Sequence, residues 1–223
     1  TYAEEHNMPQ SEITEILSCI EIFVFRRLIC GYPTNALLKM FATLHQQVLK
    51  NKKEEDSYYD VMVYLLENRK RTVVFPKDDE FRQSFIEKPV YLMRPKSRTY
   101  ILDRLENGNS KEKIDVINNV QKGELSVEHI MPQTLTQHWK EQLGSDYSRI
   151  HEEWLHTIAN LTLTGYNVQY SNRPFLEKKE DKNGFAASPL RLNKYISKFD
   201  KWTEAEMKER QTEMGKRALT VWP

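Results

Sequence analysis

Two short strand-forming runs between residues 126 and 178 constrain the fold of this chain more than any other feature. The first run ends in Glu128 and His129, two side chains that can bind or transfer a proton. Pro132 follows shortly afterwards, and a proline cannot continue a helix interior or a central strand. The chain is therefore expected to turn away from the first strand soon after the histidine.

The second run, LTLT at 161–164, lies some thirty residues further along the chain. It combines leucine with β-branched threonine, with Asn160 before it and Asn167 after it. A polar segment after Pro174 can begin a helix, because proline is well tolerated in a first helical turn. The predicted order is strand, loop, strand and helix, with polar side chains where these elements meet.

This pattern resembles the HNH (ββα-metal) nucleases, and in particular the C-terminal HNH domain of the GmrSD-type, modification-dependent restriction endonucleases. Relatives that sense phosphorothioated DNA belong to the same group. The resemblance extends upstream to residues 23–41 and downstream to the last residue, and so covers nearly the whole chain. The matching residues of the central stretch are Glu128, His129, Ile130, Pro132, Gln133, Asn160 to Thr164, Asn167, Ser171, Asn172, Phe175 and Lys178.

The resemblance and the composition together predict the fold class. Seven glycines in 223 residues, with many Leu, Glu, Lys and Arg, favour helix over sheet. We expect an α+β, predominantly helical protein: a helical bundle that carries an HNH ββα-metal motif. The expected division is a helical subdomain at 1–120, the nuclease motif with a helical insertion at 121–183, and C-terminal helices at 184–223 that pack back on the core.

The resemblance also implies roles for the polar residues of the two strands. His129 and Asn160 are the expected catalytic residues, with His129 as the base and Asn160 orienting the histidine or the loop. Glu128 and Asn167 are the expected ligands of Mg²⁺ or Mn²⁺, which prefer oxygen donors. Similar enzymes carry Asp or His on the first strand, so Glu128 departs from the family pattern. Because neighbouring strand residues face opposite sides, a shared pocket for Glu128 and His129 requires a local turn or bulge.

The expected DNA contacts lie partly outside the motif. The net charge is only +1, but residues 69–104 contain ten Lys or Arg against five acids. Lysine and arginine can position a duplex through its phosphates without reading sequence. The predicted contacts are Lys178, Asn172, Arg94, Lys96 and Arg98. The alternative for each is an ordinary role as a helix cap or a solvated surface residue.

Several other polar residues are expected to be structural. His138, His151 and His156 lie between the two strands, form no HExxH motif, and are not assigned to a metal. Cys19 and Cys30 match neither a zinc motif nor a disulfide framework, and we expect buried thiols in a reducing cytoplasm. Arg26 and Arg27 either touch a phosphate or pair with acids on neighbouring helices.

Three functions remain open from the sequence. The first is a metal-dependent DNA endonuclease domain that nicks double-stranded, modified phage DNA as part of a cytoplasmic restriction protein. The second is a module that binds modified DNA through a degenerate nuclease fold, and the third is a helical regulatory domain. The chain begins at Thr1 without an initiator Met, so we expect a piece of a longer protein. The resemblance implies an N-terminal nucleotide-hydrolysing domain as partner, and no apolar run approaches the ~20 residues of a membrane span.

Overall fold

The computed structural model describes residues 2–108 and 110–223, which form two compact units. The first unit contains residues up to Phe85 together with Trp222 and Pro223, and the second contains Ile86–Val221. Helices predominate, and the described residues include one two-stranded sheet in the second unit. This confirms the predicted class, α+β with helices predominating.

The first unit is helical, as the spacing of its apolar residues predicts. Its core combines Phe23, Leu44, Val48, Met62 and Leu66, all nearly inaccessible to solvent. The predicted helices near 11–30, 35–50 and 57–69 are confirmed with shifts of one or two residues. The helices are α1 (Tyr2–Glu5), α2 (Gln10–Ile29), α3 (Leu37–Asn51), α4 (Tyr58–Glu67) and α5 (Asp78–Glu87), which continues two residues into the second unit.

The two neighbouring arginines of α2 are buried and bind main-chain oxygens. Arg26 donates to the carbonyls of Pro76 and Trp222, and it also pairs with Asp78 at 2.7 Å. Arg27 donates to three carbonyl oxygens, those of Pro33, Thr72 and Val74. Both guanidinium groups therefore hold the fold together, and neither is positioned to bind a phosphate.

The second unit contains the two predicted strands, β1 (Ser126–His129) and β2 (Leu161–Thr164). They pair antiparallel, with Ser126 opposite Thr164 and His129 opposite Leu161. All four residues of β2 are buried, the two threonines as well as the two leucines. The helices are α6 (Pro95–Asn107), α7 (Val116–Gln121), α8 (Gln137–Leu143), α9 (Tyr147–Trp154), α10 (Asn167–Tyr170), α11 (Phe175–Glu180), α12 (Arg191–Ile196) and α13 (Glu204–Val221).

The helical insertion between the strands consists of α8 and α9. Trp139 on α8 and Trp154 on α9 are buried in one apolar cluster with Phe175 and Trp202. The indole Nε1 of Trp139 donates to the Arg173 carbonyl at 3.0 Å. The insertion thus belongs to the core that supports the strands. It ends in a 3-10 helix at Ile158–Asn160, directly before β2.

The two compact units are divided differently from the three parts predicted for the chain. Residues 86–120 and 184–221 lie in the same compact unit as the strands. The fully buried Glu106 carboxylate, at the end of α6, accepts from the main-chain N–H groups of Arg191 and Leu192. The Asn107 side chain exchanges two hydrogen bonds with the Ile114 main chain. These polar contacts hold the end of α6 and the chain that follows it within the second unit.

Two negative findings apply to the described part of the chain. None of its helices is both long and apolar enough to cross a bilayer. Cys19 and Cys30 form no disulfide, and burial raises the pKa of the Cys19 thiol to about 11. The Cys19 thiol is therefore in its protonated, weakly reactive form at neutral pH.

Candidate active site

A cavity of about 130 Å³ lies where β1 ends and α10 begins. Since a water molecule occupies about 30 Å³ in the liquid, this space holds only a few waters or a hydrated ion. Four of the predicted site residues line it together. The lining consists of Tyr91, Val127, Glu128, His129, Pro132, Gln133, Asn167, Ser171 and Asn172.

His129 is the last residue of β1, and its side chain lies against two other rings. It is only 5% exposed, yet it lines the cavity. Its Nε2 lies 3.4 Å from Nδ1 of His156, and its ring centroid lies 4.2 Å from that of Tyr91. Burial, and after it the neighbouring His156, lowers the pKa of His129 to about 3. The imidazole is therefore neutral at physiological pH.

Glu128 forms a buried ion pair with Lys178 of α11. The Lys178 ammonium is completely buried and lies 2.6 Å from Glu128 Oε1. Its other hydrogen bonds go to the carbonyl oxygens of His129 and Ile130, at 3.0 and 3.2 Å. Burial raises the pKa of the Glu128 carboxyl and lowers that of the Lys178 ammonium, and each charge opposes the shift of the other. Three oxygen acceptors match the three N–H donors of a charged lysine.

The position of Lys178 corrects its predicted role. A phosphate contact requires an exposed ammonium, whereas this one is sealed inside the protein. Its bonds to Glu128, His129 and Ile130 instead hold the chain where it leaves β1. β1 keeps a regular register up to His129, and the chain bends directly after it. Lys178 of α11 holds this bend by binding the carbonyls of His129 and Ile130.

Asn160 is a positioning residue and makes no direct contact with the cavity. It is fully buried, and its side-chain oxygen accepts from Met131 N at 2.8 Å and from Trp202 Nε1 at 3.2 Å. Its side-chain nitrogen donates to the carbonyls of Met131 and Leu155. Of the two expected roles, orienting the histidine or the loop, these hydrogen bonds fit the second: Asn160 joins the loop after β1 to the end of the insertion.

Asn167 and Asn172 bring amide groups to the opposite wall of the cavity. The Asn167 amide nitrogen donates to Val127 O at 3.0 Å and to Ser126 Oγ at 3.3 Å. This arrangement leaves the Asn167 amide oxygen without a hydrogen bond to any described residue. Ser171 has a φ of +41°, an unfavourable conformation for a residue with a side chain, and this turn brings Asn172 to the cavity. Backbone strain of this kind costs about 1–3 kcal/mol and occurs often at functional sites.

The donor set fits a hard divalent cation only in part. The Asn167 amide oxygen and the second carboxylate oxygen of Glu128 are the donors that Mg²⁺ prefers. However, the charge of Glu128 is balanced by Lys178, and the described residues contain no cluster of three or more His, Cys, Asp or Glu suited to a metal. Mg²⁺ sites of this kind draw their remaining ligands from water and from substrate phosphates. Asn167 and Glu128 thus offer two oxygen donors, and a cation held by them would need its other ligands from outside the protein.

The predicted basic residues lie at the start of α6, and one of them, Arg98, contacts Tyr91, which lines the cavity. Arg94 and Lys96 are exposed and have no ion-pair partner among the described residues. Arg98 donates from Nη1 to the Tyr91 carbonyl at 2.9 Å, and its guanidinium lies 4.7 Å above the Tyr91 ring. Arg94 and Lys96 are thus available for phosphates, whereas Arg98 is largely engaged in supporting Tyr91.

Sequence reasoning missed two residues of this site, His156 and Tyr91. The signal for His156 was its place just before β2, because antiparallel pairing puts the start of β2 beside the end of β1, where His129 lies. Tyr91 carried no local signal, since it lies far from the motif in sequence. His156 contacts His129 behind the cavity lining, whereas His151 donates to the Pro132 carbonyl and His138 is exposed.

The lowered pKa of His129 predicts a pH-dependent stability. Between about pH 6.5 and pH 3 the unfolded chain binds a proton at this histidine and the folded chain does not. The free energy of unfolding should therefore fall as the pH is lowered, with His129 contributing up to about 1.4 kcal/mol per pH unit. Urea unfolding in EDTA between about pH 6.5 and pH 5 should show a smaller pH dependence for His129→Gln than for the wild type. Parallel curves for the two proteins would contradict this.

A second, larger cavity of about 520 Å³ lies elsewhere in the second unit. Its walls include Glu124, Tyr166, Tyr170 and Lys182. No histidine lines it, and Glu124 is the single carboxylate among its lining residues. Size alone would favour this cavity, but the smaller one holds the groups that can activate water.

A comparison with known protein families matches most of the second unit. The family described as GmrSD restriction endonucleases, C-terminal domain, matches residues 75–217. This range contains both strands, the insertion and every residue that lines the cavity. No curated protein matches the chain.

Proposed function

The chain belongs to the C-terminal domain family of the GmrSD restriction endonucleases, and from this membership we propose that it is a metal-dependent HNH endonuclease domain that nicks double-stranded DNA. The observation that carries the proposal is the meeting of His129 and Asn167 in one cavity, from two pieces of chain about forty residues apart. The proposed substrate is modified phage DNA. The proposed partner is a nucleotide-hydrolysing domain N-terminal to this one.

His129 is the proposed general base of the reaction. A neutral imidazole that lines a water-sized space can take a proton from the water that attacks the phosphorus. Burial keeps this imidazole neutral at physiological pH, and the same low pKa makes it a weaker base than a free imidazole. General base catalysis of this kind contributes about 10²- to 10⁴-fold to a rate.

The other polar residues hold the base and the phosphate in place. Asn167 and Glu128 would hold Mg²⁺ or Mn²⁺, which when bound neutralises the charge that develops on the phosphate oxygens. Lys178 fixes the main chain at the base and just after it through the carbonyls of His129 and Ile130. Arg94 and Lys96, both exposed, would bind the phosphate backbone, which positions the duplex but does not read its sequence.

The proposal predicts that the purified chain converts supercoiled plasmid to the relaxed form with Mg²⁺ or Mn²⁺ and does so no longer in EDTA. The reason is that no lysine or arginine is among the described residues that line the cavity, and Lys178 beside it is paired with Glu128. Agarose gels of a time course measure the conversion. The His129→Gln protein, purified in parallel, controls for a contaminating nuclease. Equal nicking with metal and with EDTA, or none with any divalent cation on modified and unmodified plasmid, would contradict the proposal.

A second function is favoured by one observation, the neutralised carboxylate. Because Lys178 balances Glu128, the cavity lacks the net negative charge of most cation sites. The alternative is a module that binds modified DNA, or regulates the partner domain, through a degenerate nuclease fold. It predicts gel shifts of the duplex that are the same with EDTA and with Mg²⁺, and no cleavage in either.

A further inference from the structure

His156 stands beside the proposed base although neither the motif nor the family match assigns it a role. Its Nδ1 lies 3.4 Å from Nε2 of His129, at the outer limit of a hydrogen bond. Catalytic hydrogen bonds are often long in a free enzyme and shorten when substrate binds. His156 itself is partly exposed, whereas His129 is nearly buried, so the pair connects the base to the protein surface.

Tyr91 fixes the orientation of both imidazoles. Its ring is nearly parallel to that of His156, at 10° with a centroid separation of 5.4 Å, and its centroid lies 4.2 Å from that of His129. Its main-chain N–H donates to the His156 carbonyl at 3.1 Å, and Arg98 holds the Tyr91 carbonyl in turn. The facing nitrogens of the two histidines are thus held in place by packing from a third segment of chain.

The facing nitrogens determine which tautomer His129 can adopt. A neutral imidazole has one N–H donor and one acceptor nitrogen. Two unprotonated nitrogens would direct their lone pairs at each other, so one of the two must carry a proton. If that proton is on Nδ1 of His156, then the proton of His129 lies on its own Nδ1, and His129 has no nitrogen left to accept one from water. If it is on Nε2 of His129, then Nδ1 of His129 is the free acceptor.

We propose that His156 is a positioning residue that accepts a hydrogen bond from Nε2–H of His129 through its Nδ1, and so keeps Nδ1 of His129 unprotonated for the attacking water. The proposal rests on the proposed nuclease function for its catalytic consequence. Its structural content, the tautomer of His129, is independent of any activity. A partner of this kind acts through orientation, and removing one typically costs about 10- to 100-fold in activity.

Two substitutions of His156 distinguish the contribution of its Nδ1 acceptor from that of its aromatic ring. His156→Phe keeps an aromatic ring against Tyr91 but removes the acceptor. His156→Asn loses the ring but places an amide oxygen near the position of Nδ1. In plasmid nicking with Mn²⁺ we expect His156→Phe to lower kcat about 10- to 100-fold with KM for the plasmid unchanged, and His156→Asn to recover most of the loss. His138→Phe, a substitution of the exposed histidine on α8, is the matched control and should nick like the wild type.

The ring nitrogens of His129 give a readout that does not depend on cleavage. In ¹⁵N-labelled full-length chain, NMR shifts of these nitrogens report which one carries the proton. We expect Nε2–H in the wild type and in His156→Asn, and a mixture of tautomers in His156→Phe. Nδ1–H in the wild type, equal kcat for His156→Phe and the wild type, or failure of His156→Asn to recover activity would each overturn the proposal. A wild-type chain with the expected tautomer that does not nick DNA would support the pairing and refute the nuclease function alone.

Discussion

Replacing His129 with glutamine is expected to lower the rate of plasmid nicking by at least about 100-fold, because the variant has no group that can accept a proton from water near neutral pH. Glutamine fills a similar volume and keeps a polar group toward His156, so the fold should be retained. The measurement is the initial rate of relaxation of supercoiled plasmid with Mn²⁺ at constant enzyme concentration. Gel shifts in EDTA should show unchanged DNA binding, since His129 is 5% exposed and lies within the cavity wall.

The matched control is His138→Gln, the same substitution at the exposed histidine of α8. It should leave both the nicking rate and the stability unchanged. A His129→Gln protein that nicks as fast as His138→Gln would exclude His129 as the base. Loss of activity together with loss of the folded state would be seen in urea unfolding, and the rates would then be compared at a temperature where both proteins are folded.

Replacing Lys178 with methionine is expected to lower the free energy of unfolding by about 3–5 kcal/mol, the usual cost of removing one partner of a buried ion pair. The substitution leaves the Glu128 carboxylate without its counter-charge at a position only 4% exposed. It also removes the hydrogen bonds to the carbonyls of His129 and Ile130. Urea unfolding at pH 7, followed by tryptophan fluorescence, measures the change, since Trp139, Trp154 and Trp202 all lie in the second unit.

The next residue of α11 supplies the control for this substitution. Lys179 also donates to a carbonyl and to a carboxylate, but its acid partner, Asp200, is 91% exposed. Lys179→Met should therefore cost no more than about 1 kcal/mol, as exposed ion pairs do. The double variant Glu128→Met with Lys178→Met removes both charges and should be more stable than Lys178→Met alone by at least about 1 kcal/mol. A cost for Lys178→Met no larger than that for Lys179→Met would show that the buried pair is not a determinant of stability.

The helices and strands of this chain follow from local patterns. Apolar residues at helical spacing predict α2 and α3, and acidic residues in the first turn agree with the start of α13. The leucine and threonine alternation at 161–164 predicts β2 to the residue. These elements are predictable because the periodicity of a helix or strand depends on residues that are close together in sequence. The division into units was not, because the contact of Glu106 with Arg191 and Leu192 joins segments far apart in the chain.

The candidate site was predictable in its membership and less so in the role of each member. The two strands and the asparagines that flank β2 located the cavity, and Glu128, His129, Asn167 and Asn172 all line it. Lys178 has the same sequence signature whether it contacts a phosphate or a buried carboxylate. The sequence could not separate these roles, because a lysine between Glu177 and Lys179 on a short polar helix looks like a surface residue.

Local sequence was therefore sufficient for the class of fold, the two strands, the family and the position of the proposed base. Tertiary structure alone decided that Lys178 neutralises Glu128, that Asn160 fastens a loop, and that Tyr91 and His156 enclose His129. The physical reason is that the charge state and hydrogen-bond partners of a side chain depend on its burial and on groups distant in sequence. The same residue types become a base, a counter-ion or a clamp only when the fold has determined which of them lose contact with water.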